Sequence, residues 1–120
     1  MWWGRFVGLP YAQVHCWELV RQVYADRLGV VLPSYGEISA ADLVRVARAI
    51  EVGQEAWVSV TDPDELDVVL MRGRSRVWHV GVMTDPAHVL HTERATDAVR
   101  VRIDDQAIAG RIMGFRRYAG

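Results

Sequence analysis

The stretch Leu9-Pro10-Tyr11-Ala12-Gln13-Val14-His15-Cys16-Trp17-Glu18-Leu19-Val20 carries the single cysteine of the chain at the point where a helix is predicted to begin. After Cys16 the apolar residues Leu19, Val20, Val23, Tyr24 and Leu28 recur at the spacing of one helical face, and Gly29 supplies a stop. Cys16 then falls in the first turn, close to unpaired backbone N–H groups and the positive end of the helix dipole, both of which favour a thiolate. That position makes Cys16 a candidate nucleophile. A buried cysteine packed as a small hydrophobe has the same signature, so other residues must decide between the two.

Two histidines downstream supply the candidates. Val77-Trp78-His79-Val80-Gly81-Val82-Met83 reads as a strand, Thr84-Asp85-Pro86 as a turn and Ala87-His88-Val89-Leu90-His91-Thr92 as the returning strand. A hairpin centred on Asp85 sets His79 directly opposite His91, where cross-strand Cβ atoms lie roughly 4.5 to 5.5 Å apart. A one-residue slip puts Thr92 there instead. In the first register His79 serves as the base for Cys16 and His91 fixes its tautomer and orientation, the nucleophile, base and orienter logic of cysteine hydrolases.

The rest of the chain completes an α+β pattern. A polar turn is expected at Pro33 to Glu37. A second helix follows from about Ala40 to Ile50, with Ser39 as N-cap, Asp42 in its first turn, and Leu43, Val44, Val46 and Ile50 on its apolar side. Ala56 to Val60 reads as a short strand before the turn Asp62-Pro63-Asp64. Val99-Arg100-Val101-Arg102-Ile103 alternates, which predicts its apolar residues facing the core and both arginines facing water. Helices first and strands after, with no βαβ alternation, argue for an antiparallel sheet.

Composition narrows the function classes. At 120 residues, about half of them apolar, the chain suits one domain spanning residues 1–120. A lone cysteine excludes an internal disulfide. With 14 basic and 15 acidic residues the net charge is near zero, which offers no footprint for nucleic acid. No apolar run approaches a membrane span, and the start Met1-Trp2-Trp3-Gly4-Arg5-Phe6-Val7-Gly8 lacks the pattern of a signal peptide, so no membrane partner and no self-directed export are expected. Trp2 and Trp3 read either as docking residues or as a first segment tucked onto the core. All basic residues are arginine and asparagine is missing, which excludes a Cys-His-Asn triad and leaves His91, an acid, or no third residue.

These residues also carry a resemblance. Pro10-Tyr11, Cys16-Trp17-Glu18-Leu19-Val20-Arg21 through Val23-Tyr24, and Leu32-Pro33-Ser34-Tyr35 resemble the opening of NlpC-type cell-wall cysteine peptidases, particularly the variants encoded with phage tail genes. Asp67-Val68-Val69-Leu70-Met71 is similar to the family's strand before the histidine hairpin. His79-Val80-Gly81-Val82 and Val89-Leu90-His91 are similar to its histidine strand and third-residue strand, and Gly114-Phe115-Arg116-Arg117-Tyr118 to its closing strand. The resemblance implies a papain-like α+β domain, with Cys16 as nucleophile, His79 as base, His91 as third polar residue and Tyr11 as an oxyanion-side hydroxyl, ahead of Gln13 in that role. It also implies a peptide stem of peptidoglycan as substrate, partnership with phage-like tail proteins and a place on the particle. The sequence departs from the family pattern in having His15 for the usual Asp, Glu18 for Gly, Leu66 for the Gly before Asp67, and a short loop between Tyr11 and Cys16.

The chemistry of a thiol and an imidazole requires no metal or organic cofactor. His15, Cys16, His79, His88 and His91 are zinc-ligand types, but His88 and His91 differ by an odd number of residues and so point to opposite faces of a strand. His88 reads as a turn or surface residue and His15 as a partly exposed one. Glu18, one turn from the thiol, is expected to oppose a thiolate. The alternative class is a catalytically silent structural component of a phage-like tail on the same fold; an acyltransferase would use the same thioester while excluding water.

Overall fold

A computed structural model of the chain describes residues 1–32, 57–72, 78–93 and 95–120. The expected turn at 33–37 and helix at 40–50 lie outside the described residues. Within them a 3-10 segment, Trp2–Arg5, precedes helix α1 (Cys16–Leu28). Strands β1 (Trp57–Val60), β2 (Val68–Arg72), β3 (Trp78–Asp85), β4 (His88–Glu93), β5 (Asp97–Arg102) and β6 (Ile112–Tyr118) follow. The six form one sheet in the order β1-β6-β2-β3-β4-β5, antiparallel at every neighbour.

Helix α1 begins and ends where its sequence dictates. His15 is extended at the N-cap, with its carbonyl accepting the Leu19 N–H at 2.8 Å. At the other end Gly29 takes a left-handed φ of 65°, and the Val30 N–H reaches back to the Tyr24 carbonyl, closing the helix with a Schellman-type turn. The buried face is Cys16, Trp17, Leu19, Val20, Val23 and Tyr24. Leu28, expected on that face, is exposed instead, as the last residue of the helix.

Alternation along the strands splits the apolar residues into two clusters. Val68, Leu70, Val80, Val82 and Leu90 pack with α1, whereas Val69, Met71, Met83, Val89 and Ile108 form a second cluster with Val101, Ile103, Ile112 and Phe115 against it. Strand β2 is therefore buried on both faces from Val68 to Met71. Trp2 and Trp3 are partly buried against the helix-side cluster, so the first segment is tucked onto the core. Arg102 is exposed, as expected. Arg100 is not: its Nε donates to Thr84 Oγ1 at 2.8 Å, it pairs with Asp85, and its guanidinium stacks 4.2 Å over Trp3. That network is made by residues from three separate segments, which alternation along β5 alone does not contain.

The turn into β2 works without the family's glycine. Leu66 adopts a φ of 72° itself, with its carbonyl accepting the Tyr24 hydroxyl and its N–H bonded to the Met83 carbonyl at 2.8 Å. Asp67, fully buried, is held by both Arg117 Nε and Nη2 at 2.9 Å and by the Asp64 N–H at 2.8 Å, which pins this turn to β6.

The β3–β4 hairpin corrects the expected register. The strand runs on through Asp85, the turn falls at Pro86 and Ala87, and Asp85 Oδ1 accepts the Ala87 N–H at 2.8 Å. Val82 pairs with Leu90 and Met83 with Val89, with an irregularity before Asp85↔His88. Continued in step, this sets His91 opposite Gly81 and Glu93 opposite His79, so the two histidines are diagonal neighbours and not direct partners. The offset from the expected pairing is even, so both stay on one face. Gly81 makes the approach possible: a Cβ there would stand 2.7 Å from Val89 Cγ2, 3.0 Å from the Leu90 carbonyl oxygen and 3.1 Å from His91 Cβ. Gly81→Ala is accordingly expected to cost about 1–3 kcal/mol in urea denaturation by overpacking. Gly110→Ala, where a Cβ meets nothing within 4 Å, should change stability by less than about 0.5 kcal/mol. Equal effects at the two positions would contradict the close approach.

Candidate active site

The helix delivers Cys16 to β3. In the antiparallel ladder Met83 exchanges backbone bonds with Leu66 and Asp67 on the β2 side, so alternation turns the backbone groups of Val82 and Val80 toward β4. The thiol of Cys16 is bonded by the backbone of Val80, together with that of Trp17 and of Cys16 itself. The nucleophile candidate thus rests against the residue next to His79, at the end of the hairpin where the histidines lie.

His79 and His91 meet. Nε2 of His79 is 3.0 Å from Nδ1 of His91, with the rings edge to face at 5.2 Å, and both residues are buried. One nitrogen donates and the other accepts. If His79 is to accept a thiol proton at Nδ1, its Nε2 must carry the hydrogen and His91 Nδ1 must be the acceptor.

Two further residues, not anticipated from the sequence, complete the cluster. Glu93 Oε1 stands 3.7 Å from His91 Nδ1, and Arg111 grips Glu93 with Nη1 on Oε1 at 2.9 Å and Nη2 on Oε2 at 3.0 Å. Arg111 Nε donates to the Arg72 carbonyl at 2.7 Å, tying the guanidinium to the end of β2. Glu93 had a signal in the sequence, since it follows His91 by two residues on a strand and shares its face. Arg111 had none, because its approach depends on the turn before β6. Donor atoms of His79, His91 and Glu93 lie within 4.8 Å of one another, a spacing compatible with a cation, yet both Glu93 oxygens are engaged by Arg111. The wider zinc set is not assembled: Cys16 and His15 lie outside that cluster, and His88 pairs with Asp85 at 2.9 Å on the hairpin turn.

The electrostatics reverse one expectation. Burial pushes the Cys16 thiol up to about 11, outweighing the backbone groups of Val80 on β3 and of Trp17 and Cys16 at the helix start that pull it down. The nearby carboxylate that adds to this is Glu93; Glu18 is engaged with Arg21 at 2.7 Å. Burial and the neighbouring His91 hold His79 down to about 3. Burial likewise lowers His91. Glu93 is resisted by burial, but the hydrogen bond from Arg111 and the neighbouring charges hold it below the usual carboxylate range. The site therefore rests with a neutral thiol and neutral imidazoles.

Tyr11 lies in the turn that leads into the helix start. Its ring is edge to face with His15 at 5.1 Å, and its N–H donates to Asp97 Oδ1 at 3.0 Å. Pro10, Tyr11, Ala12, His15 and Asp97 line an open cavity of about 530 Å³. His15 Nδ1 is buried there without a hydrogen-bond partner among the described residues. Gln13 is exposed, as an outward-facing residue of this loop.

The NlpC/P60 family model matches residues 3–117. A search among curated proteins returns no match.

The depressed His79 predicts how stability depends on pH. Between 6.5 and about 3 the unfolded chain binds a proton at His79 that the folded chain refuses, so stability falls as pH falls through that window. From pH 7 to 4.5 the His79 contribution should fall by about 2–3 kcal/mol in urea denaturation, and His79→Leu should remove most of that slope. An unchanged slope in the variant would place the acid sensitivity elsewhere. For Cys16, iodoacetamide labelling followed by intact mass is expected to keep rising with pH beyond about 8.5, the value of a free thiol. A plateau near neutrality would contradict a neutral resting thiol.

Proposed function

The chain belongs to the NlpC/P60 family, whose members are cell-wall cysteine peptidases or amidases, and from that premise we propose that it hydrolyses an amide bond in the peptide stem of peptidoglycan, with Cys16 as nucleophile. The observation that carries the reading is the meeting of three elements. The helix start holds Cys16 on Val80, His79 immediately precedes Val80 on the same strand, and His91 contacts His79 at 3.0 Å.

The reaction follows from these groups. His79 takes the thiol proton at Nδ1 as the sulfur attacks the amide carbonyl, and its Nε2–H remains on His91. A neutral resting pair makes this charge separation dependent on substrate: thiolate and imidazolium are stabilised by each other at close range and by exclusion of water once the cleft is filled. The Cys16 N–H, at the first turn of α1, is the donor for the developing oxyanion, with the Tyr11 hydroxyl assigned as the second. The tetrahedral intermediate collapses to a thioester as His79 returns its proton to the leaving amine. The same imidazole then deprotonates a water that releases the acid and regenerates the thiol. The cavity lined by Tyr11, His15 and Asp97 receives the acyl side of the stem peptide. The resemblance of the motifs to tail-encoded variants supports a working place on a phage-like particle, among tail proteins.

A second reading, a silent structural component on the same fold, draws support from the high thiol and low imidazole values of the resting site. Turnover separates the two. With a synthetic stem peptide containing the D-glutamate to diamino-acid bond and mass-spectrometric detection of products, wild type should cleave. Cys16→Ala should show no turnover, and His79→Ala should lose about 10²- to 10⁴-fold in kcat/KM. Absence of cleavage of this bond and of the other stem amides by folded wild type would overturn the peptidase reading and leave the structural one.

A further inference from the structure

We propose that Arg111 and Glu93 form a positioning pair for the imidazoles, in which Arg111 keeps Glu93 from capturing His91 Nδ1 and thereby fixes the tautomer that His79 needs as a base. The inference rests on Cys16 and His79 acting as proposed above, but its principal measurement does not require turnover.

The geometry sets up a competition at one nitrogen. His91 Nδ1 has two candidate partners: His79 Nε2 at 3.0 Å and Glu93 Oε1 at 3.7 Å. A carboxylate is a stronger acceptor than a neutral imidazole. Left to itself, it would draw a hydrogen onto His91 Nδ1, and His79 Nε2 would then face a donor. Relieving that clash moves the hydrogen of His79 to Nδ1, the atom that must be bare to receive the thiol proton. The nucleophile and its base would then both be protonated, and transfer between them could not start.

Arg111 prevents this by geometry. Its two terminal nitrogens occupy both carboxylate oxygens, at 2.9 and 3.0 Å, and its Nε is anchored to the Arg72 carbonyl at 2.7 Å. Three of the five guanidinium N–H groups are thereby committed in a fixed fork, so Glu93 cannot follow a small shift toward His91 without breaking the pair. Glu93 and Arg111 are both largely buried, with side chains 14% and 19% exposed, so little solvent screens the choice. Among the described residues, the charged groups that act on the imidazoles are Glu93 on β4 and Arg111 before β6. At 3.7 Å Glu93 acts on the imidazoles through its charge and not through a hydrogen bond. It therefore remains available to stabilise an imidazolium at His79 during the reaction while leaving the His79–His91 bond intact.

The test is imidazole ¹⁵N NMR on the full chain at neutral pH, with kcat/KM on the stem peptide measured alongside. In wild type, Nδ1 of both His79 and His91 should be unprotonated and both Nε2 protonated. In Arg111→Gln, Nδ1 of His91 should become protonated, and kcat/KM should fall on the order of 10²-fold through loss of the productive arrangement. Adding Glu93→Gln to Arg111→Gln removes the competing carboxylate, so the double variant should recover the wild-type tautomers and regain activity relative to Arg111→Gln alone. If Arg111→Gln does not fold, Arg111→Lys replaces it. A single ammonium cannot hold two oxygens and the Arg72 carbonyl in one fork, so the same tautomer shift should appear in part. Wild-type tautomers in the folded single variant, or equal losses in the single and double variants, would overturn the proposal. A wild type that has the expected tautomers and cleaves nothing would instead count against the peptidase reading alone.

Discussion

The close approach of β4 to β3 at Gly81 is the constraint on which the site depends. No side chain larger than hydrogen fits between Gly81 and the Val89, Leu90 and His91 backbone and side chains that face it. Because that space is closed, His91 lies near enough for its ring to meet His79 from the diagonal position, and Glu93 is carried on to the position opposite His79. The tight turn at Pro86 and Ala87, locked by Asp85, sets the register that makes the diagonal possible. The histidine pair is thus a product of strand geometry before it is a product of side-chain chemistry.

Burial then determines what the pair can do. A thiol and two imidazoles buried in this way lose their hydration, and each moves toward its neutral form. The dipole and free N–H groups of α1 act in the opposite direction on Cys16, but their effect at one helix end is worth about 1 kcal/mol, less than the loss of solvation. Glu93 stays charged in the same surroundings because Arg111 meets both of its oxygens. The contrast illustrates a general rule: a buried charge survives where it is paired and hydrogen-bonded, and a buried titratable group without such a partner becomes neutral.

The scaffold around this cluster uses the same economy at a second place. Asp67 is buried under Arg117, and the turn before it carries Leu66 in a left-handed conformation usually left to glycine. Leu66 is retained there by three constraints that act together: the bond from its N–H to Met83, the Tyr24 hydroxyl on its carbonyl, and its packing against the helix-side cluster. Strain of this sort is tolerated where surrounding contacts over-determine the backbone. The turn fixes the start of β2, and β2 in turn supplies both the neighbour of the histidine strand and the Arg72 carbonyl that anchors Arg111.

What the sequence determined by itself is local and periodic. Helix α1, its start at Cys16 and its stop at Gly29, the short strand at 57–60, the body of the histidine hairpin and the shared face of His79 and His91 follow from spacing and residue type, because each is set by neighbours within a few positions; the strands before the hairpin and at the end of the chain were legible only through the resemblance of their motifs. The resemblance in the motifs pointed to the family that the 3–117 match identifies. What only the tertiary structure decided involves distances between groups far apart in the chain. The two-residue shift of the hairpin register, the neutral resting state of Cys16, the withdrawal of Arg100 from solvent and the closing of Arg111 over Glu93 all belong here. Desolvation and cross-strand pairing are sums over everything packed nearby, and a pattern read along one segment does not contain them.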